Sequence, residues 1–295
     1  MNDSLVKAVA CNRKVRVLAC TTTNLCEEAR KLHDLWPTSC AALGRVLSMA
    51  AMMGSMEKEE NHKVTIQING GGAIGTVMAD GWGNGTVRGF VGDPHQYLKY
   101  NDSNKLAVGL VVGTDGYLKV TRNIGMKESF TSQIKLHSGE IGDDFAYFYT
   151  VSEQTPSAVS VGVLVDTDNS VKSAGGLIIQ IMPNAEEADI VKAEQAVAAL
   201  RPISSMIDEG MDARMIAQSL FDDLEVLEEK PLQWHCGCSK DRFKAALTTL
   251  QRSDIEEMLE KDKGCEVKCE YCNTTYSFDE HDLNLILEFK AACGK

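Results

Sequence analysis

Two cysteine pairs stand near the end of the chain. Cys236-Gly237-Cys238 is followed by 30 residues and then by Cys269-Glu270-Tyr271-Cys272. Thiolates are soft donors. Two from each tight turn, with the chain between folding back to join the turns, suit a tetrahedral Zn²⁺ site. The spacing predicts one Zn²⁺ per chain on Cys236, Cys238, Cys269 and Cys272. Two neighbours compete for a place. Cys265 lies four residues before Cys269, and His235 abuts Cys236. Either could replace a thiolate, and if neither does, Cys265 and Cys293 are spare thiols.

The C-x-C pair adds redox chemistry. Thiols two residues apart can close a disulfide in a very small ring, and Gly237 permits the bend. Such a bond is strained and readily reduced. Zinc-bound sulfurs are already deprotonated, so an oxidant attacks them directly. Oxidation would destroy the ligands and release the metal.

The elements around the pairs must bring them together. Ser239 can cap a helix over 240–250, and Ser253-x-x-Glu256 forms a capping box for a second over 254–261. Gly264 turns the chain into a strand at 266–268. A strand over 274–278 and a helix from Asp279 complete a module spanning 232–295. So small a unit has little core, and metal binding would contribute on the order of 10 kcal/mol to its folding.

Other constellations are weaker. Gly70-Gly71-Gly72-Ala73-Ile74-Gly75 fits G-x-G-x-x-G, but Thr76-Val77-Met78-Ala79 follows as a strand where a dinucleotide site needs a helix. Glu140, Asp143 and Asp144 could pair as acid and base, but suit a solvated helix N-terminus better. None of the 6 histidines sits in H-E-x-x-H, and neither G-x-S-x-G nor a Walker A sequence occurs. Catalytic constellations are thin, although a Ser/His/Asp triad of residues far apart in sequence stays open.

Over 1–182 the chain mixes helix and antiparallel strand. A strand at 14–21 leads to a helix over 24–35 capped by Thr23. A second helix, apolar nearly all round, covers 38–56. Strands are expected at 64–68, 76–79, 106–110, 159–165 and 176–182, with a helix at 143–150. The fold class is α+β. Residues 182–230 carry 12 acidic and 4 basic side chains. Helices are expected there at 185–200, 203–209 and 212–221, so 183–231 reads as an acidic helical linker. Ile190, Val197, Leu200, Met206, Met211 and Met215 form its apolar stripe. Uncovered, the stripe would be a flexible, methionine-containing surface able to adapt to varied partners.

The whole chain has 295 residues and a net charge of -12. That balance argues against nucleic acid as a partner. The most apolar window, 39–53, is too short to span a membrane and contains Arg45. The start, Met1-Asn2-Asp3-Ser4, lacks a basic region followed by an apolar run. A cytoplasmic location is expected.

These residues resemble one known family. Cys236-x-Cys238-Ser239, Glu266-Val267-x-Cys269-Glu270-Tyr271-Cys272, Ser138-Gly139-Glu140-Ile141, Ser152-Glu153-Gln154-Thr155, and Gly71-Gly72-x-x-Gly75 with Val87-Arg88-Gly89 resemble the redox-regulated 33 kDa heat-shock chaperones of bacteria. The resemblance spans essentially the full length. It implies a core chaperone domain, a linker and a C-terminal redox switch. In the reduced state the four cysteines would hold Zn²⁺ and the protein would be inactive. Oxidation would form the disulfides Cys236–Cys238 and Cys269–Cys272, and the cysteines would give up the ion. Linker and switch would loosen, and hydrophobic surface would bind unfolded or oxidatively damaged proteins without ATP. The resemblance also implies a homodimer in the active state. Cys265 departs from the family pattern, adding a fifth thiol beside the site.

Overall fold

The computed structural model describes residues 2–103, 105–126 and 128–292, so Cys293 lies outside the described residues. The chain forms two compact units, Met1–His235 and Cys236–Lys295. The first contains, in order, β1 (Ser4–Ala10), β2 (Val15–Thr21), α1 (Thr23–His33), α2 (Pro37–Ser55), β3 (Lys63–Asn69), β4 (Val77–Trp82) and β5 (Thr86–Val91). Then come α3 (Val108–Val112), β6 (Tyr117–Asn123), β7 (Phe130–Lys135), α4 (Ile141–Val151), β8 (Ser157–Val165) and β9 (Val171–Ile181). It ends with α5 (Glu187–Ala198), α6 (Ile203–Asp208), α7 (Ala213–Gln218), β10 (Glu225–Pro231) and β11 (Gln233–Trp234). The second holds α8 (Lys240–Leu247), α9 (Arg252–Asp262), β12 (Gly264–Lys268), β13 (Thr275–Asp279) and α10 (Glu280–Ala292). The α+β class expected from the sequence is the class observed.

Helix α2 organises the first unit. Every residue except Pro37 and Arg45 is buried, as an all-round apolar helix requires. It packs against a five-stranded sheet of order β10-β1-β2-β9-β8 and a six-stranded sheet of order β11-β5-β4-β3-β6-β7. Close approach to β4 depends on Gly81, where an added Cβ would lie 2.0 Å from the Ala50 carbonyl oxygen. In β3, Val64, Ile66 and Ile68 face the core while the residues between them do not, the period-two pattern of a half-buried strand.

The central strands of the five-stranded sheet, β1, β2 and β9, are buried on both faces. Leu5, Leu18 and Cys20 point into the α2 core. Val6, Ala8, Val15, Val17, Ala19, Leu177 and Ile179 point the other way, onto a second cluster with Ala193, Ile203, Met206, Ile207, Ala213, Ile216 and Phe221. The helices α5 to α7 are therefore a layer over this sheet, and the segment 183–231 lies within the first unit. The layer is thinly held at its start, because the only buried side chain of α5 is Ala193.

Several local expectations change. The run 106–110, read as a strand, belongs to the approach and first turns of α3; five apolar residues carry no period that separates the two. The first residue of α1 is Thr23, and Thr22 precedes it without a side-chain cap, its hydroxyl lying 2.7 Å from that of Ser48 instead. The capping box of α9 is Gln251 with Asp254, two residues earlier than Ser253 with Glu256. Strand β10, with four charged residues among its seven, pairs antiparallel with β1 where linker was expected. No helix among the described residues is long and apolar enough to cross a membrane.

The glycine-rich turn is not a phosphate cradle. The N–H groups of Gly72 and Ile74 donate to the Val112 and Val111 carbonyls, each at 3.0 Å. Its backbone donors are thus used within the fold. The acidic cluster also dissolves into structure. Glu140 accepts from Arg45 and from the Tyr100 hydroxyl, the latter at 2.8 Å. Asp144 is fully buried, contrary to a solvated helix end, and one oxygen accepts from the N–H groups of His137 and Ser138. Asp143 alone is exposed.

Candidate metal centre

The four cysteines meet in the second unit. Cys236 and Cys238 lie in the extended stretch before α8, whose N-terminus is capped by Ser239, its hydroxyl accepting from the Arg242 N–H at 3.2 Å. Arg242 also donates to the Gly237 carbonyl at 2.5 Å, fixing the bend between the thiols. Cys269 and Cys272 occupy the turn between β12 and β13. That turn closes through Asn273 N–H to the Cys269 carbonyl at 2.8 Å and Cys269 N–H to the Thr274 carbonyl at 2.9 Å. Asn273 takes the left-handed backbone, φ 56°, that so tight a reversal requires.

All four Sγ atoms lie within 4.8 Å of one another. Cys236 Sγ is 3.7 Å from Cys269 Sγ, and Cys238 Sγ is 3.3 Å from Cys272 Sγ. A zinc–sulfur bond of about 2.3 Å gives tetrahedron edges of about 3.8 Å. The donor set and its spacing therefore fit a metal that takes four thiolates. Neither Cys265 nor His235 belongs to the cluster. Cys265 sits in β12 opposite Phe278 and packs on the module's own core of Leu247, Ile255, Phe278, Leu283 and Ile286. Burial pushes its thiol up.

The environment differs from sulfur to sulfur. Burial pushes the Cys269 thiol up to about 12, against the pull of the Cys272 and Tyr271 backbone N–H groups that point at it. Burial also raises Cys272, but hydrogen bonds from the Thr274 hydroxyl and backbone N–H outweigh it and leave the thiol at about 7. Burial raises Cys238, partly offset by the Tyr276 hydroxyl 3.1 Å away. That hydroxyl is in turn held up at about 12, chiefly by its bond to Cys238.

Tyr276 and Thr274 are residues that the cysteine spacing alone misses. Tyr276 lies in β13 and Thr274 just before it, after the left-handed reversal at Asn273, so no strand period links them to Cys272 in the sequence.

The linker stripe is not gathered on one exposed surface. Met206 is buried; Ile190, Leu200 and Met211 are half-buried; Val197 and Met215 are 37% and 50% exposed. Leu200, Met206 and Met211 line a cavity of about 240 Å³ among α5 to α7. Four further cysteines, Cys11, Cys20, Cys26 and Cys40, are all buried in the first unit.

Comparison with known proteins points to one family. Residues 3–279 match the model of the Hsp33 protein family. The chain is 44% identical over 287 residues to the 33 kDa chaperonin of Bacillus pumilus, covering 97% of this chain and 98% of that one. It is 42% identical over 282 residues to the 33 kDa chaperonin of Bacillus subtilis, covering 95% and 97%. The crystal structure of the 33 kDa chaperonin (heat shock protein 33 homolog) from Thermotoga maritima superposes with a TM-score of 0.91 at 34% identity, covering 99% of this chain and 100% of that one. The chain belongs to the Hsp33 protein family.

Proposed function

We propose that this protein is an ATP-independent holdase chaperone, switched on by oxidation of zinc-bound cysteines and acting on unfolded or oxidatively damaged proteins. Its relatives are named chaperonins, which supports a chaperone role. The switch rests on one observation above all: four thiols converge within 4.8 Å in the smaller of the two compact units.

In this reading Cys236, Cys238, Cys269 and Cys272 hold one Zn²⁺ in the reduced, inactive state. Bound zinc would supply a four-way cross-link and keep the sulfurs as thiolates. Apart from it, the unit's apolar cluster has five buried side chains among the described residues. Hydrogen peroxide is attacked by a thiolate sulfur; an S–O bond forms, the O–O bond breaks and hydroxide leaves. The adjacent thiolate then displaces the second hydroxide and closes a disulfide. Two electrons pass from each sulfur pair to one peroxide. Cys236–Cys238 and Cys269–Cys272 are the pairs we assign, as the family resemblance implies.

Residues 1–182 act as the core chaperone domain, 183–231 as a releasable layer and 232–295 as the switch. Release of the layer uncovers the apolar face of the five-stranded sheet together with the Leu200, Met206, Met211 and Met215 side chains. This is the surface we assign to clients, with Ile190 and Val197 at its margin. The active form is a cytoplasmic homodimer that binds neither nucleic acid nor membrane and catalyses no reaction.

The test is a zinc and free-thiol titration before and after peroxide, run beside an aggregation-suppression assay. One zinc per chain, four thiols lost with the metal, and suppression gained in step are expected. Protein purified under reducing conditions without zinc, or suppression independent of thiol state, overturns the proposal.

A further inference from the structure

Two hydroxyl groups reach the cysteine cluster, and each addresses one sulfur. Tyr276 Oη lies 3.1 Å from Cys238 Sγ, and Thr274 Oγ1 lies 3.2 Å from Cys272 Sγ. These two sulfurs come from different pairs and are 3.3 Å apart. A metal-bound sulfur carries no hydrogen. In the zinc state each contact must therefore run from hydroxyl to sulfur, with Tyr276 and Thr274 as donors. A hydrogen bond of this kind draws on the lone pair that a sulfur would offer to an oxidant, and it also fixes the side-chain direction toward the metal.

We infer that Tyr276 is a positioning residue of the redox switch: its hydroxyl restrains Cys238, so that this sulfur binds metal well and meets peroxide slowly. The inference rests on the proposed zinc switch and deepens it. The tyrosine ring is itself placed by packing, since it lies against Phe243 of α8 with centroids 5.2 Å apart and the rings tilted by 40°. Its strand position is set by pairing with Val267 across β12 and β13. Helix α8, the β-hairpin and Cys238 thus converge on one hydroxyl. Loss of zinc ligation at Cys238 and loss of α8 packing are coupled through it. Thr274 plays the same part for Cys272 without the ring contact.

Chemically the restrained step is the first one. The Cys238 thiolate forms an S–O bond as the peroxide O–O bond breaks and hydroxide departs. Attack by the Cys236 thiolate then forms S–S and expels the second hydroxide. Removing the donor leaves the lone pair free for the first attack.

The test compares full-length wild type with Tyr276→Phe and Thr274→Val. Tyr276→Phe keeps the ring contact and the strand, so its circular dichroism should match wild type. Three quantities are read. Zinc affinity, measured by competition with a chelator, should fall about 10-fold in Tyr276→Phe. The sulfur-to-metal charge-transfer band of the cobalt(II) form should move to longer wavelength, because a hydrogen bond to sulfur lowers the energy of its lone pair. Peroxide oxidation, mapped by alkylation and mass spectrometry, should become several-fold faster at Cys238 in Tyr276→Phe and at Cys272 in Thr274→Val. A merely structural tyrosine would not move the cobalt band. If Tyr276→Phe leaves the cobalt band unmoved and both zinc affinity and the Cys238 rate within twofold of wild type, the inference is overturned. A wild type that loses zinc to peroxide without suppressing aggregation would sink the chaperone reading instead, and the three metal and thiol measurements would still decide the role of Tyr276.

Discussion

The backbone N–H of Cys11 donates to Asp223 Oδ2 at 3.0 Å, joining two residues 212 positions apart in the chain. Cys11 occupies the β1–β2 turn and Asp223 follows α7, so the bond pins the end of the helical layer to the sheet it covers. The Cys11 side chain is 1% exposed within the cluster beneath that layer. Burial, with Asp223 nearby, pushes its thiol up and keeps it unreactive. If oxidation lifts the layer, Cys11 becomes accessible. A pulse of alkylating reagent should leave Cys11 unlabelled in the reduced protein and label it after peroxide activation. Full chaperone activity with Cys11 still protected would mean that the layer stays in place.

Ile216 tests the same layer from the other side. It is fully buried in α7 against β1 and β2. Ile216→Ala removes buried methyl groups and should cost about 2–4 kcal/mol in the packing of the layer. The variant should suppress aggregation at a lower peroxide dose than wild type while holding the same zinc. Faster amide exchange over 187–218, with β2 and β9 unchanged, would locate the effect in the layer. An unchanged dose response would show that layer packing does not restrain activity.

At the cluster, Cys269→Ser and Cys272→Ser each leave three thiolates and an open tetrahedron. Both should lose zinc under reducing conditions and loosen the second unit without oxidant. Cys265→Ser should keep its zinc, because Cys265 lies outside the cluster and packs with the module's apolar core. Zinc analysis of the three variants checks this. Retention in Cys269→Ser with loss in Cys265→Ser would reverse the ligand assignment.

Asp3 gives the first unit a pH dependence of definite sign. Burial raises its carboxyl to about 6, against donation from the Leu25 and Asn24 N–H groups at the start of α1. The ordinary value is 3.8. A folded-state value above the unfolded one means that the folded protein binds the extra proton. The associated stability is complete below the unfolded value and is lost as pH rises through about 6. Between pH 4.5 and 7 the loss should be about 2 kcal/mol. Trp36, Trp82 and Trp234 all lie in Met1–His235, so urea unfolding followed by tryptophan fluorescence reports this unit. The difference between wild type and Asp3→Asn should show the decline, and a difference that is flat with pH would refute it.

What the sequence revealed follows from where the determining physics is local. The close cysteine pairs, the Ser239 cap and the uniformly apolar α2 each state their role within a few residues. Strand β10 does not. Glu225-Val226-Leu227-Glu228-Glu229-Lys230-Pro231 has the acidity of a solvated linker and becomes a strand through pairing with β1, more than 200 positions away. It is also an edge strand, where charge and proline discourage pairing with other chains. The apolar stripe of α5 to α7 was visible, but the surface beneath it was not, because only the sheet's second apolar face identifies the partner. The glycine turn reads correctly as no phosphate site, from the strand that follows it, but what fills it is not legible. Its motif is local, while the carbonyls of Val111 and Val112 that occupy its donors come from α3.

The division between His235 and Cys236 supplies the final prediction. Strand β10 pairs with β1 and the short β11 pairs parallel with β5, so the chain is hydrogen-bonded into the first unit almost up to Cys236. A chain ending at His235 therefore keeps both sheets, both large apolar clusters and the helical layer. An earlier end near Lys230 would remove β11 and the last residue of β10, and would confound loss of the switch with loss of an edge. If the reduced cysteine module restrains the layer, the shorter protein should suppress aggregation without oxidant, bind a hydrophobic dye more strongly than the reduced full chain, and be cut by protease within 183–231. Its tryptophan fluorescence and far-ultraviolet dichroism should show the strand-rich part still folded. A folded chain ending at His235 that stays inactive at every oxidant dose would rule out restraint by the module, and would require the cysteine module itself to contact clients.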